Sequence, residues 1–119
     1  MLRLRTCLLL GVLLALTAAP ALAGPRDEAR RHVEFGIEVA GRGLWREAIY
    51  RWQRAVEIDP TYAEALNNLA IAYEHEGDLD KARTAYEKAI TLAPGNQAIK
   101  QNYEQFKEIN ERATAAGEK

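Results

Sequence analysis

The chain has no serine, one cysteine and two histidines among its 119 residues, and these shortages exclude most chemistry before any pattern is sought. Nucleophilic catalysis needs a Ser, Cys or Thr beside a base. Apart from Cys7 in the N-terminal segment, only Thr61, Thr84, Thr91 and Thr114 qualify beyond that segment, and each is expected near a helix end or on the surface. His32 and His75 stand on separate segments. Glu74-His75-Glu76 with Asp78 and Asp80 is a compact acidic group, yet no second histidine lies at ligand spacing. Solvated residues around a turn are the expectation there, and neither a metal nor a cofactor is predicted. No glycine-rich loop suited to phosphate occurs either. An enzyme is therefore not expected.

Long apolar runs are also scarce, and the one present is N-terminal. Residues 1–23 start with Arg3 and Arg5, continue through the apolar run Leu8 to Leu16 and finish in Ala21-Leu22-Ala23. A basic start, an apolar centre and a small-x-small ending read as a secretory signal cleaved before Gly24. The apolar stretch is shorter than the roughly 20 residues of a membrane-spanning helix. The expected location is periplasmic or secreted, with no membrane insertion after cleavage; an uncleaved leader acting as an anchor is the less favoured alternative. Cys7 precedes the apolar run, so a lipid anchor is not expected. Cleavage leaves 96 residues without a thiol, so stability must come from helix packing rather than a disulfide. It also leaves 14 basic against 17 acidic residues, and no basic field points to nucleic acid or anionic lipid.

What the chain does have is helical periodicity in small and large apolar residues. In residues 63–96, Leu66, Leu69, Ala70 and Tyr73 recur at three-and-four spacing, which places them on one helical face. Gly77-Asp78 breaks that run. A second run carries Leu79, Ala82, Tyr86, Ala89, Ile90 and Leu92 before Pro94-Gly95 ends it. Alanines 70, 82 and 89 let two helices approach closely while Leu69, Tyr73 and Tyr86 fill the space between them. An antiparallel helix hairpin is predicted.

Moving the window back by 34 residues repeats the pattern. Phe35 stands for Leu69, Gly36 for Ala70, Val39 for Tyr73 and Trp52 for Tyr86; Gly43, Ala48, Ala55 and Pro60 recur as Gly77, Ala82, Ala89 and Pro94. The second copy reads Leu66-x2-Leu69-Ala70-x2-Tyr73, Ala82-x3-Tyr86 and Pro94, and the first reads His32-x2-Phe35-Gly36-x2-Val39, Ala48-x3-Trp52 and Pro60. With these residues at this period the chain resembles the tetratricopeptide repeats. Leu66 replaces the family's opening tryptophan and Ala70 its glycine, and His32 and Val39 are weaker matches.

The resemblance implies an all-α fold of stacked antiparallel helix hairpins, a tetratricopeptide-type α-solenoid with a C-terminal capping helix. Along the chain this predicts a flexible lead at 24–28, repeats at 29–62 and 63–96, a capping helix at 97–113 and a frayed tail at 114–119. Asp27 and Glu28 suit a helix start, and Thr61 is placed to cap the third helix. In the last helix Ile99, Tyr103, Phe106 and Ile109 form one stripe. No partner helix follows it, and terminal elements of repeat proteins show polar groups to water.

Family members hold a peptide or a partner's helix in the concave groove lined by the first helix of each pair. Carried over by position, this implies Arg30, Val33, Ile37 and Ala40 from the first hairpin. The second supplies Glu64, Asn67, Asn68, Ile71, Glu74 and His75, and Ala98, Gln101 and Gln105 close the far side. One subclass grips a C-terminal carboxylate with lysines and asparagines; only Asn68 matches that clamp, while Val33 and Ile37 replace two of its members. Trp52 and Tyr86 are read as packing, Trp45 as half-buried and Tyr50 as outward-facing beside Arg46, Arg51 and Arg54. Because Val33, Phe35, Ile37 and Val39 cannot all face inward, the free side of the first helix is expected to be covered by a second copy or a larger partner. The function expected is non-catalytic binding of a protein or peptide partner, as an adaptor or assembly factor in the cell envelope. The alternative is a unit that binds chiefly itself, a homo-oligomer.

Overall fold

Proline at the first helical position has the right φ and lacks only an N–H that would be unbonded there anyway. Pro25 uses this: helix α1, Pro25–Gly41, starts immediately after Gly24, whose carbonyl accepts from the N–H groups of Asp27 at 3.0 Å and Glu28 at 3.1 Å. Most of the lead expected at 24–28 is thus already helix. In the computed structural model, which describes residues 24–117, four more helices follow: α2 Trp45–Ile58, α3 Ala63–His75, α4 Leu79–Leu92 and α5 Gln97–Gly117.

The turns within the two hairpins are built alike. Gly43 and Gly77 have φ of 78° and 77°, a region that side-chain-bearing residues avoid. After α1, Leu44 N–H donates to the Val39 carbonyl and Gly43 N–H to that of Ala40, both at 2.9 Å. After α3, Asp78 N–H donates to Tyr73 at 2.8 Å and Gly77 N–H to Glu74 at 3.0 Å. These are paired six-to-one and five-to-two bonds of the glycine C-cap, one turn geometry repeated 34 positions apart. Asp78 also caps α4, accepting from Lys81 N–H at 3.3 Å.

Inside the hairpins, small residues sit where helices cross. Ala29, Ala48, Ala55, Ala70, Ala82 and Ala89 have no exposed surface, and Trp52, Leu69 and Tyr86 are buried around them. The first hairpin trades sizes relative to the second: the larger Trp52 faces the smaller Gly36, whereas Tyr86 goes with Ala70. A β-carbon on Gly36 would stand 2.3 Å from Trp52 Nε1, so the indole lies directly on the α1 backbone. Its N–H donates to the Val33 carbonyl at 3.1 Å.

Stacking follows chain order. Helix α2 packs on both α1 and α3, α4 on α3 and α5, and α5 also touches α3. Asn96 Oδ1 accepts from Ile99 N–H at 3.2 Å at the start of α5. Ile99 and Phe106 are then buried, with the Phe106 ring 5.4 Å from Tyr86 and 6.2 Å from Tyr103. Two expectations about α5 are corrected. It continues to Gly117, so 114–117 of the expected tail is helix, and Ile109 is 62% exposed rather than part of the packed stripe. The reason is length: α5 has 21 residues against 14 in α4, and Arg83, in the second turn of α4, already lies over Phe106. Tyr103 meets Glu87 and Phe106 meets Arg83, so Ile109 comes near the N-terminal end of α4, beyond which it has no neighbour on that helix.

Among the described residues no hairpin precedes the first one, and its outer side shows it. Val33 and Val39 are buried, but Phe35 is 41% exposed, although its counterpart Leu69 is 5% exposed against α2. No helix covers Phe35 among the described residues; the guanidinium of Arg51 lies 4.3 Å from its ring, at the position that holds buried Ala85 in the next hairpin. Polar exchanges of the same kind mark both ends. Buried Ala65 and Ala72 correspond to exposed Arg31 and Glu38, and Ala70 and Tyr73 of α3 correspond to Glu104 and Lys107 of α5.

Arg26 fastens the start of α1 to the α2–α3 connection. Its Nε donates to Asp59 Oδ2 at 2.5 Å, its Nη2 donates to Thr61 Oγ1 at 3.1 Å, and its guanidinium lies 4.4 Å from the Tyr62 ring centre. Thr61 does not cap α3 as expected: its hydroxyl donates to Asp59 Oδ1 at 2.7 Å, and Tyr62 occupies the cap position without a side-chain bond. The Thr61 hydrogen bond first, and Arg26 second, hold the Asp59 carboxyl below its ordinary value of 3.8. A lowered folded-state value means the carboxylate adds stability above pH 3.8 and loses it as pH falls through the lowered value. Acid titrations of wild type and Asp59→Asn, followed by circular dichroism, should therefore differ at neutral pH and converge below that range. A constant gap down to the most acid point would contradict the assignment.

Candidate partner-binding surface

An exposed aliphatic side chain alone is ordinary; two at equivalent positions of consecutive repeats form a ladder. Ile37 on α1 and Ile71 on α3 are 55% and 36% exposed. Arg30, Glu64, His75, Ala98, Gln101 and Gln105 are also exposed, and Ala40 and Asn68 are half-buried. Arg30 is not a free cation, since it pairs with Asp27 one turn earlier. The His75 ring stacks on Trp45 with centroids 4.1 Å apart, which joins the end of α3 to the start of α2.

Three expected groove residues have other engagements. Val33 is in the core with Ala29 and Trp52, because its side of α1 turns inward over the hairpin; it leaves the set of surface candidates. Asn67 Oδ1 accepts from Asn102 Nδ2 at 3.1 Å and so belongs to the α3–α5 seam. Glu74 is half-buried and its Oε2 accepts from the Tyr86 hydroxyl at 2.5 Å. Burial first, and this carboxylate second, push the Tyr86 phenol well above the usual tyrosine range. The phenol therefore stays a donor and the carboxylate an acceptor. Neither partner was singled out for this bond in the sequence, where residues 12 apart on different helices leave no periodic trace.

The opposite side carries two adjoining clefts of about 540 and 360 Å³ between α2 and α4, with Val56, Leu66, Thr84 and Lys88 lining both. The sequence shows Leu66 only as one member of a helical face, and its spacing does not reveal a cleft. Tyr50 is exposed as expected, but two of the three arginines beside it are locally balanced: Arg51 pairs with Glu47 at 2.8 Å, and Arg54 pairs with Glu57. Among the described residues no helix is long and apolar enough to cross a membrane, and no group of three His, Cys, Asp or Glu side chains could hold a metal. The signal read at 1–23 lies outside the described residues.

Two stacked glycine-capped hairpins and a terminal helix define an all-α repeat solenoid. The particular family is plain from comparison with known proteins: the tetratricopeptide repeat model matches residues 63–96, and a second TPR repeat model matches 42–77, so the chain belongs to the tetratricopeptide repeat family. It is similar to the photosystem I assembly protein Ycf3 of Rippkaea orientalis, 29% identical over 93 residues, covering 66% of this chain and 54% of that one. The type IV pilus assembly protein PilF of Pseudomonas aeruginosa is 33% identical over 82 residues, covering 68% of this chain and 32% of PilF. A probable N-acetylglucosaminyltransferase, SPINDLY of Hordeum vulgare, is 36% identical over 63 residues, 53% of this chain but 7% of that protein. The chain thus spans about half the length of the first of these relatives and less of the others.

Proposed function

We propose that the chain is a non-catalytic adaptor or assembly factor that binds a segment of a partner protein on the α1–α3–α5 face, in the cell envelope. The observation that carries the reading is the exposed pair Ile37 and Ile71 at one register on successive first helices. Likeness to two proteins named for assembly supports an assembly role, and the signal-like sequence of 1–23 supports export.

An Ile37→Glu, Ile71→Glu variant tests this. Burying a carboxylate against an aliphatic ligand without a counter-charge is unfavourable by several kcal/mol, so at least about a tenfold loss of affinity is expected. Capture from the source organism's envelope fraction should recover a partner with wild type and lose it with the variant; equal recovery would overturn the reading. The self-association alternative has less support, because Arg31, Glu38, Glu104 and Lys107 make both ends of the stack polar. Light scattering should give a monomer at micromolar concentration, and a dimer abolished by the same double change would favour the alternative.

A further inference from the structure

A carboxylate partly withdrawn from water is costly unless it is hydrogen-bonded and matched by a cation. Glu74 meets only the first condition. Its Oε2 is held by the Tyr86 hydroxyl, and Tyr86 is itself fixed between α3 and α5 with its ring 5.6 Å from Tyr103 and 5.4 Å from Phe106. Among the described residues, Lys and Arg form eight ion pairs, and none involves Glu74. The charge is therefore held in place without a cation among the described residues. Ile71 lies three residues before Glu74 on α3, a spacing that makes the two side chains neighbours on one helical face. Ile37 continues the aliphatic surface at the same register on α1.

We propose that Glu74 selects the ligand of this face: it takes the lysine or arginine of a partner segment whose adjacent aliphatic residues rest on Ile71 and Ile37. This rests on the binding reading above and adds to it the chemistry of the partner, a basic–aliphatic sequence. Charge complementarity favours it, since a cation supplies what Glu74 lacks. Half-burial strengthens the attraction relative to a fully solvated pair. Tyr86 acts as a positioning residue, fixing one carboxylate oxygen and leaving the other to the ligand.

Selection of a random dodecapeptide display library on the full chain, on Glu74→Gln and on an Ile37→Asn, Ile71→Asn variant, whose neutral side chains add no attraction for a basic peptide, tests the assignment. Glutamine can still accept from the Tyr86 hydroxyl, and an unchanged thermal midpoint for Glu74→Gln would verify that the fold is kept. Wild type should enrich peptides with Lys or Arg within two positions of Leu, Ile or Val. Glu74→Gln should bind the best of them at least tenfold more weakly, with a flatter dependence on salt, and should select aliphatic peptides without basic enrichment. Basic enrichment that persists with Glu74→Gln overturns the proposal. So does aliphatic selection by wild type without basic residues, which leaves the binding reading standing. Peptides that bind the Ile37→Asn, Ile71→Asn variant as well as wild type remove the binding reading itself, and this inference with it.

Discussion

Trp52→Ala is expected to lower the free energy of unfolding by about 3–5 kcal/mol, the range for truncating a buried large aromatic side chain. Small domains have about 5–15 kcal/mol in total, so one side chain carries a large part of the margin. The indole is 3% exposed, belongs to the larger core cluster and donates its N–H to the Val33 carbonyl. Gly36→Ala separates two opposing effects at the same contact. Helix propensity alone favours alanine by about 1 kcal/mol. The new methyl, however, would stand 2.3 Å from Trp52 Nε1, and moving the ring costs its hydrogen bond and its fit. Overpacking of this kind costs about 1–3 kcal/mol, so net destabilisation is expected. Urea denaturation followed by circular dichroism at 222 nm reads both changes; a Gly36→Ala protein more stable than wild type would contradict the close contact.

Phe106→Ala should act more locally. The ring is fully buried against Tyr86 and Tyr103, so the cost is again about 3–5 kcal/mol. In a stacked array each element depends on its neighbours, and α5 packs chiefly on α4 and, less extensively, on α3 among the described residues. Helix α5 should therefore open before the hairpins do. Hydrogen exchange should show protection lost from Gln97 to Gly117 while amides around Trp52 and Leu69 stay protected. Uniform loss through all five helices would mean that the cap and the hairpins form one cooperative unit.

The hairpins were readable in the sequence because their requirements are local or periodic. Gly43 and Gly77 mark turns that need positive φ, and the alanines of the crossing points recur at one period with Trp52 and Tyr86 beside them. Period alone does not say which sides of a helix have a neighbour. Phe35 reads like Leu69 but has no preceding hairpin to lie under among the described residues, Val33 reads like a groove residue but turns into the core, and Ile109 lies on the right stripe of a helix that outruns its support. Contacts between distant residues left still less trace. Arg26 reaches Asp59 and Thr61 across 33 and 35 positions, and nothing in the spacing of those three residues anticipates it. The surface ladder was partly readable: Ile37 and Ile71 are exposed, whereas the Asn67–Asn102 and Glu74–Tyr86 bonds required coordinates.

The exchange of alanines and a tyrosine for Arg31, Glu38, Glu104 and Lys107 at the two outer faces of the described stack bears on how these molecules meet one another. Head-to-tail contact between unlike faces does not close on itself and grows into fibres. A repeat unit with bare alanine and leucine at either extremity would invite that polymerisation as its concentration rose. Charged residues at those places make each added subunit strip water from guanidinium, ammonium and carboxylate groups, so fibre growth has little to drive it.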